Sequence, residues 1–167
     1  MALEQNNILS HNEINHKIKR IAYQIYECNV DEKEVILAGI ESNGYILAKK
    51  LKIALKKIST IEPLLCKVII DKKNPLAEIK TSISSEDYSN KSVVLIDDVL
   101  NSGTTLIYGV KHFLNVPLKQ FKTAVLVNRN HKKYPVKADF KGISLSTSLQ
   151  EHVEINLEGK SFEAVLK

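Results

Sequence analysis

The sequence predicts an α/β fold, a doubly wound and mostly parallel sheet with helices on both faces. Three observations carry that prediction. Apolar runs at residues 35–40, 64–70, 93–96 and 124–127 lack polar alternation, as strands buried on both faces require. Segments with helical spacing alternate with them, apart from one polar gap. Small polar turns follow the strands, and in such a sheet the carboxyl ends of the strands converge on one crevice.

Taken in order, Ser10 and Glu13 form a capping-box signature, S-x-x-E. Behind it Ile14, Ile18, Ile21, Ala22 and Ile25 repeat at helical spacing, which predicts a helix to about Glu27. Residues 35–40 read as a buried strand that ends in Glu41-Ser42-Asn43-Gly44. Ile46, Leu47, Leu51, Ala54 and Leu55 define the next helix. Its lysines (Lys49, Lys50, Lys52, Lys56 and Lys57) read as a solvated face before they read as a nucleic-acid patch. Lys56 and Lys57 also lie in the last turn, where the helix dipole stabilises positive charge.

A strand follows at residues 64–70. From 71 to 92 the chain turns polar, with Pro75 and little periodicity. A gap this long inside a compact domain signals either disorder or a functional loop. The strand at 93–96 ends in Asp97 and Asp98, and Asn101-Ser102-Gly103-Thr104-Thr105 then leads into a helix with Leu106, Val110 and Phe113 on one face. Residues 121–128 predict a fourth parallel strand, followed by Arg129, Asn130 and His131. Two short strand-like pieces, around residues 138–140 and 153–157, finish the chain. The second alternates, with Val153, Ile155 and Leu157 inward.

At 167 residues the chain fits one domain with a full core, residues 1–167. Its net charge of +5 comes almost wholly from lysine, because Arg20 and Arg129 are the two arginines. The distinction matters: a guanidinium fork recognises planar anions, while scattered lysines mainly solvate a surface. Cys28 and Cys66 are isolated and lack metal-ligand spacing, so free thiols in a reducing cytoplasm are expected. Residues 1–7 lack a basic and apolar leader pattern, and no apolar run approaches a membrane span. The expected location is cytoplasmic, with no membrane partner. There is no internal repeat or linker.

The chemistry concentrates at residues 93–105. An apolar strand, a carboxylate pair, a small-residue turn and a helix start build an anion cradle beside two acceptors. Free N–H groups at the turn converge on one spot, and the helix dipole favours negative charge there. The carboxylates would repel a bare phosphate but suit a sugar diol, or a magnesium ion, next to it.

This stretch resembles the PRPP-binding signature of type I phosphoribosyltransferases: apolar strand, two acids, two apolar residues, then a Thr/Ser-Gly-x-Thr turn. Asp97 and Asp98, Val99 and Leu100, and Ser102, Gly103, Thr104 and Thr105 fill the slots. The competing reading is a receiver-type domain, whose acidic pair is expected near the first strand and not past mid-chain. Residues 124–142 are similar to the base-binding region of one branch, the bifunctional pyrimidine operon attenuation regulators with uracil phosphoribosyltransferase activity. Arg129, His131, Pro135, Lys137, Ala138, Asp139, Phe140 and Gly142 occupy that pattern.

The resemblance implies the type I phosphoribosyltransferase fold with a small hood over the site. It also implies PRPP and a nucleobase, uracil first, as substrates, Mg²⁺ as cofactor, RNA as a possible partner, and a homodimer. Asp97 and Asp98 would accept the ribose hydroxyls and help hold Mg²⁺. Ser102, Gly103, Thr104 and Thr105 would bind the 5-phosphate, and Ser42, Asn43 and Gly44 would offer amides to pyrophosphate. Asn101, Asn128, Arg129, His131 and Asp139 are carried over as base-side contacts, although Asp139 could instead cap local backbone. Lys72 and Lys73 are lid candidates.

Three departures stand out. Asn128 replaces the aspartate usual in the regulator branch. Asn101 replaces the aspartate that exchanges a proton with the base in purine enzymes, which argues against a 6-oxopurine because an amide cannot shuttle that proton. The turn at 41–44 lacks the regulator branch's basic residues, and the arginine-bearing lid motif is absent from 67–75. The altered turn and missing lid motif imply a weak grip on pyrophosphate and so low or absent activity, which leaves open a module that senses PRPP or nucleotides and binds RNA without turnover.

Overall fold

A computed structural model describes residues 6–167. Residues 1–5, which hold most of the start read above for a leader pattern, lie outside the described residues. The elements run β1 (Asn6–Leu9), α1 (His11–Glu27), β2 (Glu34–Ile40), α2 (Asn43–Ile58), β3 (Glu62–Ile69), β4 (Lys80–Thr81), α3 (Ser85–Tyr88), β5 (Ser92–Leu100), α4 (Thr104–Phe113), β6 (Gln120–Arg129), β7 (Phe140–Leu145), β8 (Val153–Asn156) and β9 (Glu163–Leu166).

Six strands form the main sheet in the order β4-β3-β2-β5-β6-β7. All pairings in it are parallel except that of the short edge strand β4 on β3. The apolar runs occupy β2, β3, β5 and β6, and side-chain alternation sends successive residues to opposite faces. Val35, Leu37, Val94, Ile96 and Leu126 face α1 and α2 in one core layer. Ile36, Ala38, Val93, Leu95 and Val125 pack with Leu106 and Phe113 of α4 in the other. The chain goes outward from β2 to β3 and then returns to place β5 on the other side of β2. This reversal makes the carboxyl ends of β2 and β5 the crevice where ligands bind in such sheets.

The capping box at the start of α1 is formed: the Ser10 N–H donates to Glu13 Oε2 at 2.7 Å, and the Glu13 N–H donates to Ser10 Oγ at 3.3 Å. A second sheet, antiparallel in the order β1-β9-β8, joins the two ends of the chain into a hood.

Several boundaries differ from the sequence reading. β5 continues through both aspartates to Leu100, because parallel pairing with β6 holds as far as Leu100 opposite Asn128. The polar gap at 71–92 is neither wholly irregular nor helical: it returns along β3 as β4 and makes the single turn α3, whose Tyr88 is buried 4.8 Å from the Phe113 ring. The strand-like piece at 138–140 is the lead-in to β7, which starts at Phe140. Strands β1, β4 and β9 were not expected.

Candidate active site

A cavity of about 340 Å³ opens at the carboxyl ends of β2 and β5, beneath the hood. Asn43 of α2, Lys72 after β3, Asp97 and Asp98 of β5, the turn 101–105, and His152, Glu154 and Ile155 of the hood all line it. The acid pair and the Ser/Gly/Thr turn are therefore walls of one space.

Asp97 is 4% exposed and Asp98 is half-buried. Asp97 Oδ1 accepts the Asp98 N–H at 2.9 Å, and Asp98 Oδ1 accepts the Val99 N–H at 2.9 Å. Burial, and then the neighbouring Asp98 carboxylate, push the Asp97 carboxyl well above the usual range, while Lys72 pulls it back down. Sugar hydroxyls donating into the pair would relieve this cost.

The turn that follows is built for an anion. Gly103 stands at the N-cap of α4 with φ +87°, and a Cβ there would meet Val136 Cγ1 at 2.6 Å. Both facts call for glycine. Ser102 Oγ and Thr104 Oγ1 lie 2.9 Å apart, and the Thr104 N–H donates to Ser102 Oγ at 3.3 Å. The Ser102 carbonyl accepts the Lys133 and Tyr134 N–H groups at 2.7 and 3.2 Å, so the segment after β6 buttresses the turn. First-turn N–H groups of α4, including that of Thr105, have no intrahelical carbonyl to bond.

The turn after β2 is arranged differently from the expectation. Ser42 is exposed, follows a cis Glu41–Ser42 peptide bond and does not line the cavity. Glu41 pairs with Lys67 at 3.2 Å. Asn43 does reach the cavity, but its side-chain Nδ2 donates to Asp98 Oδ2 and to the Ile155 carbonyl, both at 3.0 Å. Gly44 packs against β5: a Cβ there would sit 2.7 Å from the Ile96 carbonyl oxygen and 3.0 Å from Asp97 Cα. Gly44→Ala must therefore push α2 off β5. The expected result is a loss of roughly 1–3 kcal/mol in urea denaturation together with weaker sugar-phosphate binding.

The expected base-side residues are not brought to the cavity wall, with the exception of Asn101. Arg129 is 7% exposed, and each of its three guanidinium nitrogens donates within the protein. Its Nε donates to Thr147 Oγ1 at 2.9 Å, Nη1 to Asn101 Oδ1 at 3.0 Å, and Nη2 to the Ser148 and Glu151 carbonyls at 3.2 and 2.7 Å. The His131 ring bonds the Thr147 carbonyl. Asn128 donates to Ser144 Oγ at 3.2 Å.

Asp139 caps backbone, the local alternative: Oδ2 accepts the Thr123 N–H at 2.9 Å, and its own N–H donates to the Thr123 carbonyl at 3.0 Å. Thr123 lies towards the amino end of β6, away from the crevice, so Asp139 is corrected from ligand contact to cap. Wall residues that the sequence did not connect to the site include His152, Glu154 and Ile155. The one available signal was the alternation of the last strand piece.

No group of three or more His, Cys, Asp or Glu side chains placed to hold a metal occurs among the described residues. Two carboxylates beside a phosphate cradle nevertheless fit Mg²⁺, which takes one or two protein carboxylates and fills its shell from water and substrate phosphates. Asp97 and Asp98 would hold it.

The acid pair of β5 and the Ser/Gly/Thr turn share one cavity, and the chain belongs to the phosphoribosyl transferase domain family, whose profile matches residues 4–158. Among its relatives, the "Bifunctional protein PyrR" of Fusobacterium nucleatum is 33% identical over 178 residues, covering 99% of this chain and 100% of that protein. The protein of the same name from Streptococcus mutans is 31% identical over 145 residues, covering 84% and 81%. Solved structures share the fold. The hypoxanthine phosphoribosyltransferase from Trypanosoma cruzi in complex with the product IMP matches with a TM-score of 0.76 at 15% identity, covering 90% of this chain and 83% of that one. A hypoxanthine-guanine phosphoribosyltransferase from Bacillus anthracis matches at 0.72 and 17%, covering 89% and 84%. The fold is the type I phosphoribosyltransferase fold.

Proposed function

We propose that this protein transfers ribose 5-phosphate from PRPP to uracil, releasing pyrophosphate, as a cytoplasmic, Mg²⁺-dependent homodimer. The observation that supports it is one cavity walled by both Asp97 and Asp98 and by the turn 102–105. The turn and the first amides of α4 bind the 5-phosphate, and the acid pair accepts the ribose hydroxyls. Little covalent chemistry falls to the protein, because holding the sugar so that a base nitrogen attacks the anomeric carbon in line carries the rate. Asp97 and Asp98 would hold Mg²⁺, which would supply charge neutralisation on the departing pyrophosphate. The hood and the Lys72 loop keep water from an oxocarbenium-like centre.

Asn101 favours a pyrimidine over a 6-oxopurine. It is an amide, and its Oδ1 is committed to Arg129 at 3.0 Å, so it provides no carboxylate for proton exchange with a purine. Incubation of the protein with PRPP, Mg²⁺ and a nucleobase panel, followed by pyrophosphate release, tests the proposal. Uracil is expected to give UMP. Release with hypoxanthine or guanine alone would replace uracil as substrate, and no release with any base would remove the enzyme reading.

A second reading, PRPP sensing coupled to RNA binding, is supported by a groove between α1 and α2. It is lined by Lys19, Lys50, Lys57, Tyr23 and Phe162, with Lys50 Nζ 3.9 Å over the Phe162 ring. RNA held there through phosphates should lose affinity steeply with salt. A flat salt dependence removes this reading.

A further inference from the structure

The turn after β2 contributes a side chain to the cavity but not a cation. We propose that Asn43 is a positioning residue that fixes Asp98 and latches the hood, so that its side chain acts on the sugar side of the substrate while Lys72 is the cationic side chain that faces the pyrophosphate. The inference rests on the phosphoribosyl-transfer reading above.

An amide nitrogen carries two hydrogens, and both acceptors of Asn43 Nδ2 are accounted for. Asp98 Oδ2 lies at 3.0 Å and the Ile155 carbonyl at 3.0 Å, each partly buried. No donor remains on that side chain for a pyrophosphate oxygen, and its own oxygen is an acceptor that an anion repels. What the two bonds do accomplish is mechanical. Asp98 Oδ1 already accepts the Val99 N–H at 2.9 Å. With Asn43 on Oδ2, the carboxylate is held at both oxygens and cannot rotate without breaking a bond. The bond to Ile155 belongs to β8, so the same side chain ties the hood to the main sheet at the cavity mouth. One short residue thus joins α2, the acid pair of β5 and the hood.

The charges in the wall complete the division of labour. Among the described residues, Asp97, Asp98 and Glu154 are the acids and Lys72 is the one lysine or arginine lining the cavity. Glu41, two residues before Asn43, is paired outward with Lys67 at 3.2 Å. The pyrophosphate therefore finds its positive side chain on the loop after β3, and the ribose finds its acceptor aimed by Asn43.

Three ligands separate these roles in the full-length chain: ribose 5-phosphate, Mg²⁺-pyrophosphate and Mg²⁺-PRPP, each titrated by calorimetry. Asn43→Ala is expected to weaken ribose 5-phosphate and PRPP by the same factor, about tenfold for one charge-assisted hydrogen bond, and to leave pyrophosphate unchanged. Lys72→Met should do the reverse, weakening pyrophosphate and PRPP while sparing ribose 5-phosphate. A merely structural defect would not split the ligands in this way. Should the alanine variant fail to fold, Asn43→Leu keeps a similar shape, loses both donors without adding a charge and is expected to show the same sugar-side loss. Weaker pyrophosphate binding with ribose 5-phosphate untouched in the Asn43 variants overturns the inference while the phosphoribosyl reading stands. A wild-type protein that binds none of the three ligands overturns that reading and the inference with it.

Discussion

Changing Asp97 and Asp98 together to asparagine is expected to lower the affinity for Mg²⁺-PRPP by more than about 100-fold, since two charge-assisted acceptors of the ribose hydroxyls and the metal are lost. Calorimetric titration reads this directly, and unchanged affinity would refute the role of the pair. The same variant should bind inorganic phosphate in the absence of metal more tightly, because the carboxylates that repel a bare anion beside the turn 102–105 are gone.

Asp97→Asn alone carries a second expectation with an opposite sign for stability. Burial and the Asp98 charge raise the folded-state pKa of Asp97 above its unfolded value. Between those two values the folded protein holds a proton that the unfolded chain has released. The stabilisation from that proton is present below the unfolded pKa and is lost as pH rises through the folded one. The isosteric amide removes this dependence while keeping an oxygen for the Asp98 N–H. Asp97→Asn should therefore melt above wild type at neutral pH, with the gap closing as pH falls toward the ordinary carboxylate range. A melting temperature below wild type at neutral pH would contradict it. The site would then be held against a stability cost that a bound ligand would relieve.

Local patterns could be read from the sequence where the physics is local. The all-apolar stretches in β2, β5 and β6 announce burial on both faces, and Ser10 with Glu13 announces a helix start through two hydrogen bonds within one turn. The acid pair and the Gly103 turn are contiguous, so their meeting in one cavity needed no knowledge of the fold. Even there the strand runs past the apolar stretch to Leu100, because pairing of Leu100 with Asn128 outweighs the poor strand preference of aspartate.

The family resemblance implied the hood and β8 announced itself by alternation, but the pairing of the chain ends that builds the hood was hidden for the converse reason. β1 finds β9 at the far end of the chain, Asn6 opposite Leu166, and four-residue strands carry too few alternations to signal themselves. Asn43 shows the same limit at the site: its residue type suggests an amide for a phosphate, but the partner it meets is a backbone carbonyl 112 residues away.

Arg129 is where residue type pointed to importance and the fold decided its kind, and its replacement is the second large effect expected. Arg129→Ala should destabilise the protein by roughly 3 kcal/mol in urea or guanidinium denaturation. Four acceptors, Asn101 Oδ1, Thr147 Oγ1 and the Ser148 and Glu151 carbonyls, lose their donors at a site 7% exposed. Arg129→Lys should recover little of this, because one ammonium cannot span a fork of acceptors on three sides of a planar group. The damage should also spread in a defined direction. Asn101 opens the turn that leads to Gly103, and Glu151 is next to His152 of the cavity wall, so loosening this clamp frees the phosphate turn and the hood segment together. In a folded but weakened Arg129→Lys variant, ribose 5-phosphate affinity should fall and hydrogen exchange should rise at residues 101–103 and 147–152, with β2 and β3 unaffected. A variant that keeps wild-type stability and loses only nucleobase binding would instead return Arg129 to the substrate.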